Sequence, residues 1–404
     1  VNRASRSHAL PALRLAWKHL RHHRAQSIIL VVCIALSLFL PVAVRLLTFY
    51  YDQVLTERAD ATPLVIGAAG NRFDLVLKSI YFSSPYDRNI RKSDEEALRK
   101  KDFGRIIPLH LRHQAQAMQA SEDAPTALIG TSPAYYAFRN LKPASGRLPT
   151  LLGEAVLGSA AAVRFGGGVG DSILSTPKAI YDLEKSFQLK LQVVGILQEG
   201  QLADNRSVFT TVKTAWVMDG YYHGHEGGSD ADAHVRSTGK AVYQEITDAN
   251  RDQFHAHAGT DQLPLTAMIL VPHGDSADAR NVNLILATTH VNVDLADTHQ
   301  AIAPSEVISE LMHRIFAIRK FFDAHAILVG LATCLFLFLV FSLSFRIRKR
   351  EFETLYKMGI SKKTIRALLG WEVSLILIAA IVLASGCLGV LMLFQPFFLR
   401  WIGV

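Results

Sequence analysis

Cysteine is scarce: of 404 residues only Cys33, Cys334 and Cys387 carry a thiol, and all three sit inside apolar runs. The long polar stretch from Tyr50 to Arg319 has none, so it needs no disulfide even in an oxidising compartment. The same scarcity excludes a zinc finger and leaves no candidate catalytic thiol. Acidic residues are missing from the first 50 positions, which hold seven Lys and Arg. A Walker A motif, GxxxxGK(S/T), is missing throughout, and Gly166–Gly167–Gly168 has no lysine behind it. If ATP drives this protein, another polypeptide binds it.

What is present is apolar residue in long runs. Half the residues (50%) are hydrophobic and the mean hydropathy is +0.20, high for a soluble protein and low for a polytopic carrier. A few membrane spans with one sizeable water-soluble domain fit that balance. The net charge is +8 and the pI 9.3, but the excess is uneven. Positions 1–50 carry +7, positions 51–320 carry 27 basic against 31 acidic residues, and Arg346–Glu372 carries +5. Cations concentrated beside apolar runs form the positive-inside pattern of a membrane protein, not a nucleic-acid footprint, and no nucleic-acid partner is expected. The first residue is Val1, which fits either a fragment or a non-AUG start.

In chain order, residues 1–24 read as a cytoplasmic amphipathic helix. Leu10, Leu13, Ala16, Trp17 and Leu20 alternate with Arg14, Lys18, Arg21 and Arg24 at helical steps. Residues 25–49 hold the first span, Ser27–Leu47, with Pro41 expected to kink it and Arg45 to snorkel at its outer end. Residues 50–319 form the large domain, placed outside by the basic ends that flank it. Within it, Asp94–Lys101 reads as a short polar helix and Arg105–Leu111 as a strand. Glu154–Leu174 reads as strand, small-residue helix and glycine turn, followed by a strand at Leu189–Gly200 and, over Asp204–Met218, another strand and a helix start. Tyr221–Thr260, rich in Gly, Asp and His, reads as a surface loop. Strand Ala267–Pro272, helix Asn281–His290 and a stalk-like helix Pro304–Phe322 complete the domain. Residues 320–345 hold the second span, 346–367 a cytoplasmic loop, 368–394 the third span and 395–404 an external C-terminal end. Ala384, Ser385, Gly386 and Gly389 make a small-residue patch suited to close helix packing.

The loop Arg346–Glu372 is the most specific stretch. Phe352, Leu355 and Met358 recur at three-residue steps on one helical face, Gly359 suits the helix end and Ser361 the cap of the next helix. The pattern of Arg350, Glu351, Phe352, Leu355, Met358, Gly359, Ser361 and Lys362, with Glu372 about a turn into the following span, resembles the FtsX/MacB-like ABC transporter permeases (type VII, mechanotransmission systems). Val169–Gly170–Asp171 and Val194–Gly195–Ile196 resemble segments of the external domain of the same family.

The resemblance implies an α+β membrane protein: a small transmembrane helix bundle, with three spans visible where the family has four, and a large extracytoplasmic MacB-like α/β domain. It implies a bacterial inner-membrane location with the large domain periplasmic. It makes the loop the ATPase-coupling element, with Mg-ATP bound in a partner ABC ATPase and no cofactor on this chain. Further partners are a second permease copy or a related permease, and a periplasmic or lipidated substrate protein. The chain itself is not expected to be an enzyme. The rival reading is a membrane-anchored periplasmic receptor or sensor, which leaves the loop pattern unexplained.

Other chemistry is thin. His223, His225, Glu226 and His234 combine imidazole and carboxylate at close spacing and form a candidate zinc set, against the plainer reading of a solvated loop. Gly170–Asp171–Ser172 and Gly274–Asp275–Ser276 look like esterase nucleophile blocks but lack a base and read as turns. Asn205–Arg206–Ser207 matches a glycosylation sequon that is expected to be incidental.

Overall fold

Leu189, Leu191 and Val193 alternate with Lys190 and Gln192 along Gln188–Leu197; the three apolar side chains are buried. That period of two is the signature of a strand with one face on a core, and it sets one centre of the fold. In the computed structural model, which describes residues 4–83, 87–118, 125–176, 188–223, 235–238, 241–256, 259–347 and 349–402, the chain divides into two compact units. One comprises 1–54 and 311–404, the other 55–310.

The strands in chain order are β1 (Leu64–Ala68), β2 (Ile90–Arg91), β3 (Gly104–Ala117), β4 (Thr126–Thr131), β5 (Pro143–Gly146), β6 (Glu154–Leu157), β7 (Ser172–Ser175) and β8 (Gln188–Leu197). They continue with β9 (Val208–Thr211), β10 (Tyr222–His223), β11 (Val235–Thr238), β12 (Ala241–Glu245), β13 (His255–Ala256), β14 (Pro264–Leu265), β15 (Ala267–Pro272) and β16 (His299–Ile302). The helices are α1 (Ala4–His22), α2 (Arg24–Asp60), α3 (Arg72–Tyr81), α4 (Lys92–Lys100), α5 (Pro133–Phe138), α6 (Ser159–Phe165), α7 (Leu202–Asn205), α8 (Val212–Met218), α9 (Ala277–Thr289), α10 (Pro304–Ile347), α11 (Lys349–Lys357) and α12 (Lys362–Ile402).

Twelve strands make one mixed sheet in the order β11-β12-β8-β6-β9-β4-β3-β15-β1-β16, with β5 on β8 and β7 joining β3 to β8. β12–β8, β6–β8 and β4–β9 run parallel and the other pairs antiparallel. Every residue of β1 is buried, as a central strand covered on both faces requires. Two cores result. Ile66, Ile106, Met268 and Leu270 pack with Leu98 of α4, Ala287 of α9 and Trp216 of α8. Leu128, Leu157, Leu191 and Val208 pack with Ala161 of α6 and Val217 of α8. Gly195 lies where a Cβ would stand 2.3 Å from the Arg147 carbonyl oxygen, a backbone atom that cannot step aside, so the Val-Gly-Ile segment needs its glycine.

The segment Tyr221–Thr260 is the main correction to the sequence reading. Its described parts carry β10, β11, β12 and β13, and β12 extends the large sheet on β8. Lys190 pairs with Glu245 at 2.7 Å, Tyr243 is buried, and Asn250 holds the turn after β12 through Thr247 N (2.7 Å) and Glu245 O (3.0 Å). A five-residue strand whose partner lies some fifty positions earlier is too short to show its period.

The unit of 1–54 and 311–404 is helical. Two described helices, Arg24–Asp60 and Lys362–Phe394 within α12, are long and apolar enough to cross a membrane; Asp323–Phe336 within α10 is a shorter apolar stretch. α2 runs unbroken through Pro41. Ile34 and Ala35 pack against Ile376, Ala380 and Ala384, and Ser37 and Thr333 hydroxyls meet at 3.0 Å. Ala384 thus packs as the small-residue patch implied. A Cβ on Gly386 or Gly389 would meet nothing within 4 Å, so those two positions make no close helix contact among the described residues. The stretch expected as an external end continues α12 as far as Ile402.

Glu154, buried at the start of β6, accepts a bidentate pair from Arg147 and the amides of Thr150 and Leu151, each at 3.0 Å. Burial alone would raise its pKa, but these four donors outweigh it and bring the pKa down from 4.5 to about 2. A carboxyl depressed by folding contributes stability that is full above its unfolded value of 4.5 and lost as pH falls toward 2. Glu154→Gln is therefore expected to flatten the acid limb of the unfolding midpoint between about pH 4.5 and 2, measured as midpoint against pH for both chains; parallel limbs would show that Glu154 contributes no such term.

Candidate functional site: the Arg58 joint and the basic loop

α2 changes character near its end. Its apolar run gives way to polar sequence, and Leu55, Arg58 and Ala59, spaced three and four apart, are buried on one face together with Thr62 just beyond. Arg58 is the unusual member, a guanidinium only 3% exposed. Its fork grips Asp204 of α7, which is 1% exposed, with Nη1–Oδ2 at 2.6 Å and Nη2–Oδ1 at 3.0 Å. Nη1 also donates to Gln201 Oε1 at 2.6 Å, Nη2 to the Tyr135 hydroxyl at 3.1 Å, and Nε to the Ile80 carbonyl. Tyr135 in turn donates to Asp204 Oδ1 at 2.8 Å. Every guanidinium nitrogen has a partner, the condition under which a buried charge is tolerated.

Electrostatics follow the geometry. Burial presses the Arg58 pKa down, but Asp204 and Tyr135 outweigh it, so the charge is held more firmly than in water. Burial first, then the Asp204 charge, push the Tyr135 phenol up, so it stays a donor. An aromatic wall closes the joint: Phe82 lies 5.5 Å under the guanidinium, and Phe209 is tilted against Tyr135 at 5.6 Å. Phe82 adopts φ 59° at the end of α3, a left-handed conformation uncommon for a bulky side chain and held here by its amide bonds to Leu77 and Lys78 carbonyls. Thr62 ties the last turn back to the Arg58 carbonyl at 2.9 Å and accepts from Arg139 at 2.7 Å. The start of α10 is fastened too: Val307 and Ile308 are buried and Glu310 pairs with Arg72.

A second polar cluster lies in the sheet. His110 and His113 of β3 meet Asp219, the residue that ends α8, with His110 Nε2–Oδ2 at 2.7 Å and His113 Nε2–Oδ1 at 3.2 Å. In a regular strand, positions three apart face opposite ways. Here the β3–β4 register shifts between His110 and His113, and this bulge turns both rings to one side. Burial would raise the Asp219 carboxyl; hydrogen bonds from both imidazoles and their charge outweigh it and hold it far below the carboxylate range. Sequence reasoning missed this cluster and the Arg58 joint. The spacing HxxH on a strand gives no signal, and a lone Arg or Asp gives none until the chain brings them together.

The basic loop has the form its spacing implies. α11 spans Lys349–Lys357, so Arg350, Glu351, Phe352 and Leu355 lie on one short helix. Met358 follows it, 67% exposed, its amide still bonded to the Thr354 carbonyl at 3.0 Å. Gly359 turns the chain at φ 92°, the left-handed geometry of a helix end. Ser361 caps α12, accepting the Thr364 amide at 3.2 Å, and Lys362 lies over the Tyr356 ring at 5.2 Å. Glu372 is buried in the helical unit, 3.2 Å from His19 Nδ1 of α1.

His223 pairs with His255 across β10–β13, and His225, Glu226 and His234 lie outside the described residues. Ser276 caps α9 through the Ala279 amide at 3.1 Å and Ser172 opens β7, which fits their reading as turn residues. Asn205 of the sequon is buried, both ends of its amide bonded to the Gly200 backbone at 2.8 Å.

The MacB-like periplasmic core domain model matches residues 30–256, more than half of the chain. The chain belongs to the FtsX/MacB-like ABC transporter permease family. Among solved structures this permease is similar to the extracellular domain of the noncanonic ABC-type transporter YknZ from Gram-positive bacteria, at 12% identity over 59% of this chain and 98% of that one, with a TM-score of 0.34. It is also similar to the periplasmic region of MacB from Actinobacillus actinomycetemcomitans, at 13% identity over 65% and 98%, with a TM-score of 0.36. No curated protein matches it. The family is that of the membrane subunits of ABC transporters, and the matched segment takes in the whole Arg58 joint, from α2 through Tyr135 to Asp204.

Proposed function

We propose that this permease passes the energy of ATP hydrolysis, carried out by a separate ABC ATPase, to its periplasmic domain as movement. The observation that carries this reading is the family match, which runs from inside the apolar part of α2 into the sheet domain. α2 and α10 are continuous helices of 37 and 44 residues, each with an apolar run and a buried end that belongs to the sheet unit. Such helices act as levers only if their ends are fixed, and the Arg58 network supplies a fixed end. Three spans, at 27–47, 324–345 and 368–394, would leave the basic loop inside beside the ATPase and the large domain in the periplasm. Arg350, Glu351, Phe352, Leu355, Met358, Gly359, Ser361 and Lys362 would form the ATPase contact, with Mg-ATP bound there and not on this chain. A second permease copy or a related one would complete the assembly, and a periplasmic or lipidated protein would be the cargo.

The direct test is affinity purification of the tagged chain from its native host in mild detergent, with mass spectrometry of the eluate. A stoichiometric ABC ATPase is the expected companion. A folded, full-length preparation without one would favour the anchored receptor instead.

A further inference from the structure

The geometry points to a divalent transition-metal site, of the zinc type, formed by His110 Nε2, His113 Nε2 and an Asp219 carboxylate oxygen. The three ligand atoms lie within 4.8 Å of one another, and all three side chains are at most 4% exposed. Two imidazole nitrogens and a carboxylate are a known zinc donor set, with bonds of about 2.0–2.2 Å. A tetrahedral ion with such bonds sets its ligand atoms about 3.3 Å apart. The observed separations, 2.7 Å from His110 Nε2 to Oδ2 and 3.2 Å from His113 Nε2 to Oδ1, are shorter than that edge by about 0.6 and 0.1 Å, so the rings move apart by that much to admit an ion.

Three features beyond proximity favour a cation. The first is the tautomer. His110 Nδ1 lies 3.1 Å from the Pro264 carbonyl oxygen, which can only accept, so Nδ1 carries its proton. Nε2 is then the atom that faces Asp219, donating a proton to it without a metal and offering a lone pair to a cation that takes that proton's place; a carbonyl on the far nitrogen is the usual outer support of a metal-bound histidine. The same carbonyl accepts from Trp216 Nε1 at 2.7 Å, which locks it. The second is the position of Asp219, whose buried carboxylate sits at the C-terminal end of α8, where the helix dipole is negative. Burial and dipole together make a carboxylate costly there without facing cations or donors, which His110, His113 and Arg112 supply. The third is the bulge in β3, which alone brings both rings to this side. Among the described residues Arg112, 3.9 Å from Asp219 and partly exposed, is a further cation facing the site. The alternative occupant is a proton on each ring, giving two imidazolium groups around one carboxylate. The site is independent of the transport reading and uses none of His223, His225, Glu226 and His234.

The test uses the full-length chain in detergent, purified with a tag that contains no histidine, stripped with chelator and then titrated with Zn2+ or Co2+. One equivalent is expected to survive gel filtration, and Co2+ is expected to show the visible d–d bands of a four-coordinate site. Asp219→Asn and His113→Gln should each weaken binding on the order of 100-fold, while the triple variant His223→Ala, His225→Ala, His234→Ala should keep the equivalent. If the single variants misfold by circular dichroism, zinc-edge X-ray absorption on the triple variant decides, with two imidazole scatterers expected. No retained metal in the wild type, retention in a folded Asp219→Asn chain, or loss in the triple variant would each overturn the assignment.

Discussion

Arg58→Met is expected to destabilise the sheet domain by about 3–5 kcal/mol, because it leaves Asp204 charged and buried with its main counter-ion gone. Asp204 is 1% exposed and would keep only Tyr135 as a side-chain donor of those seen at the joint. The Gln201 amide and the Ile80 carbonyl would lose a donor at the same time. Removing both charges is a different experiment. Arg58→Met with Asp204→Leu replaces a desolvated pair by apolar volume, which is often neutral, and should recover most of the loss. The unfolding midpoint of the detergent-solubilised chain measures stability, and hydrogen exchange over Leu55–Asp60 and α7 localises it. A single-variant cost under about 1 kcal/mol, the range of an exposed ion pair, would mean that the joint is not a rigid connection. The double variant also separates stability from transmission. If the joint is the point where α2 moves the domain, the double variant folds and still retains the ATPase, yet transport falls.

The double substitution Leu355→Asp, Met358→Asp is expected to abolish co-purification of the ATPase. Apolar anchors that fill a partner's pocket cost about 2 kcal/mol or more each when lost, so two together lower affinity on the order of 1,000-fold. Met358 is 67% exposed and follows a nine-residue helix that ends at a glycine turn, the arrangement of a short projecting plug. The Arg58 and Asp204 substitutions lie in the other unit and should leave the ATPase bound, which makes them the natural control. An intact complex after both aspartates were introduced would sink the coupling role of this loop.

The legible parts of the fold were those whose signal is local. α11, its glycine end and the Ser361 cap follow from three-residue spacing and from the φ that only glycine adopts freely, all within one short window. β6, α6, β8 and β9 were visible for the same reason, and the glycine segment around Gly195 was a mark of fold because backbone packs where its side chain would be. The segment at 221–260 misled because polar, glycine-rich composition is shared by loops and by short edge strands, and only the partner strand β8 distinguishes them. The density of histidines along the chain drew attention to His223–His234, whereas the buried pair at His110 and His113, brought together by a bulge, gave no local signal.

By itself, then, the sequence determined the long apolar helices, their basic flanks and the shape of the loop at 346–372, because hydrophobic period, charge placement and helix caps act over one to six turns. The tertiary structure alone decided where the buried charges go. Arg58 and Asp204 are 146 residues apart, and His110 and Asp219 more than a hundred. Nothing local selects such partners; they are chosen because a charge taken out of water must meet its complement wherever the folded chain places one.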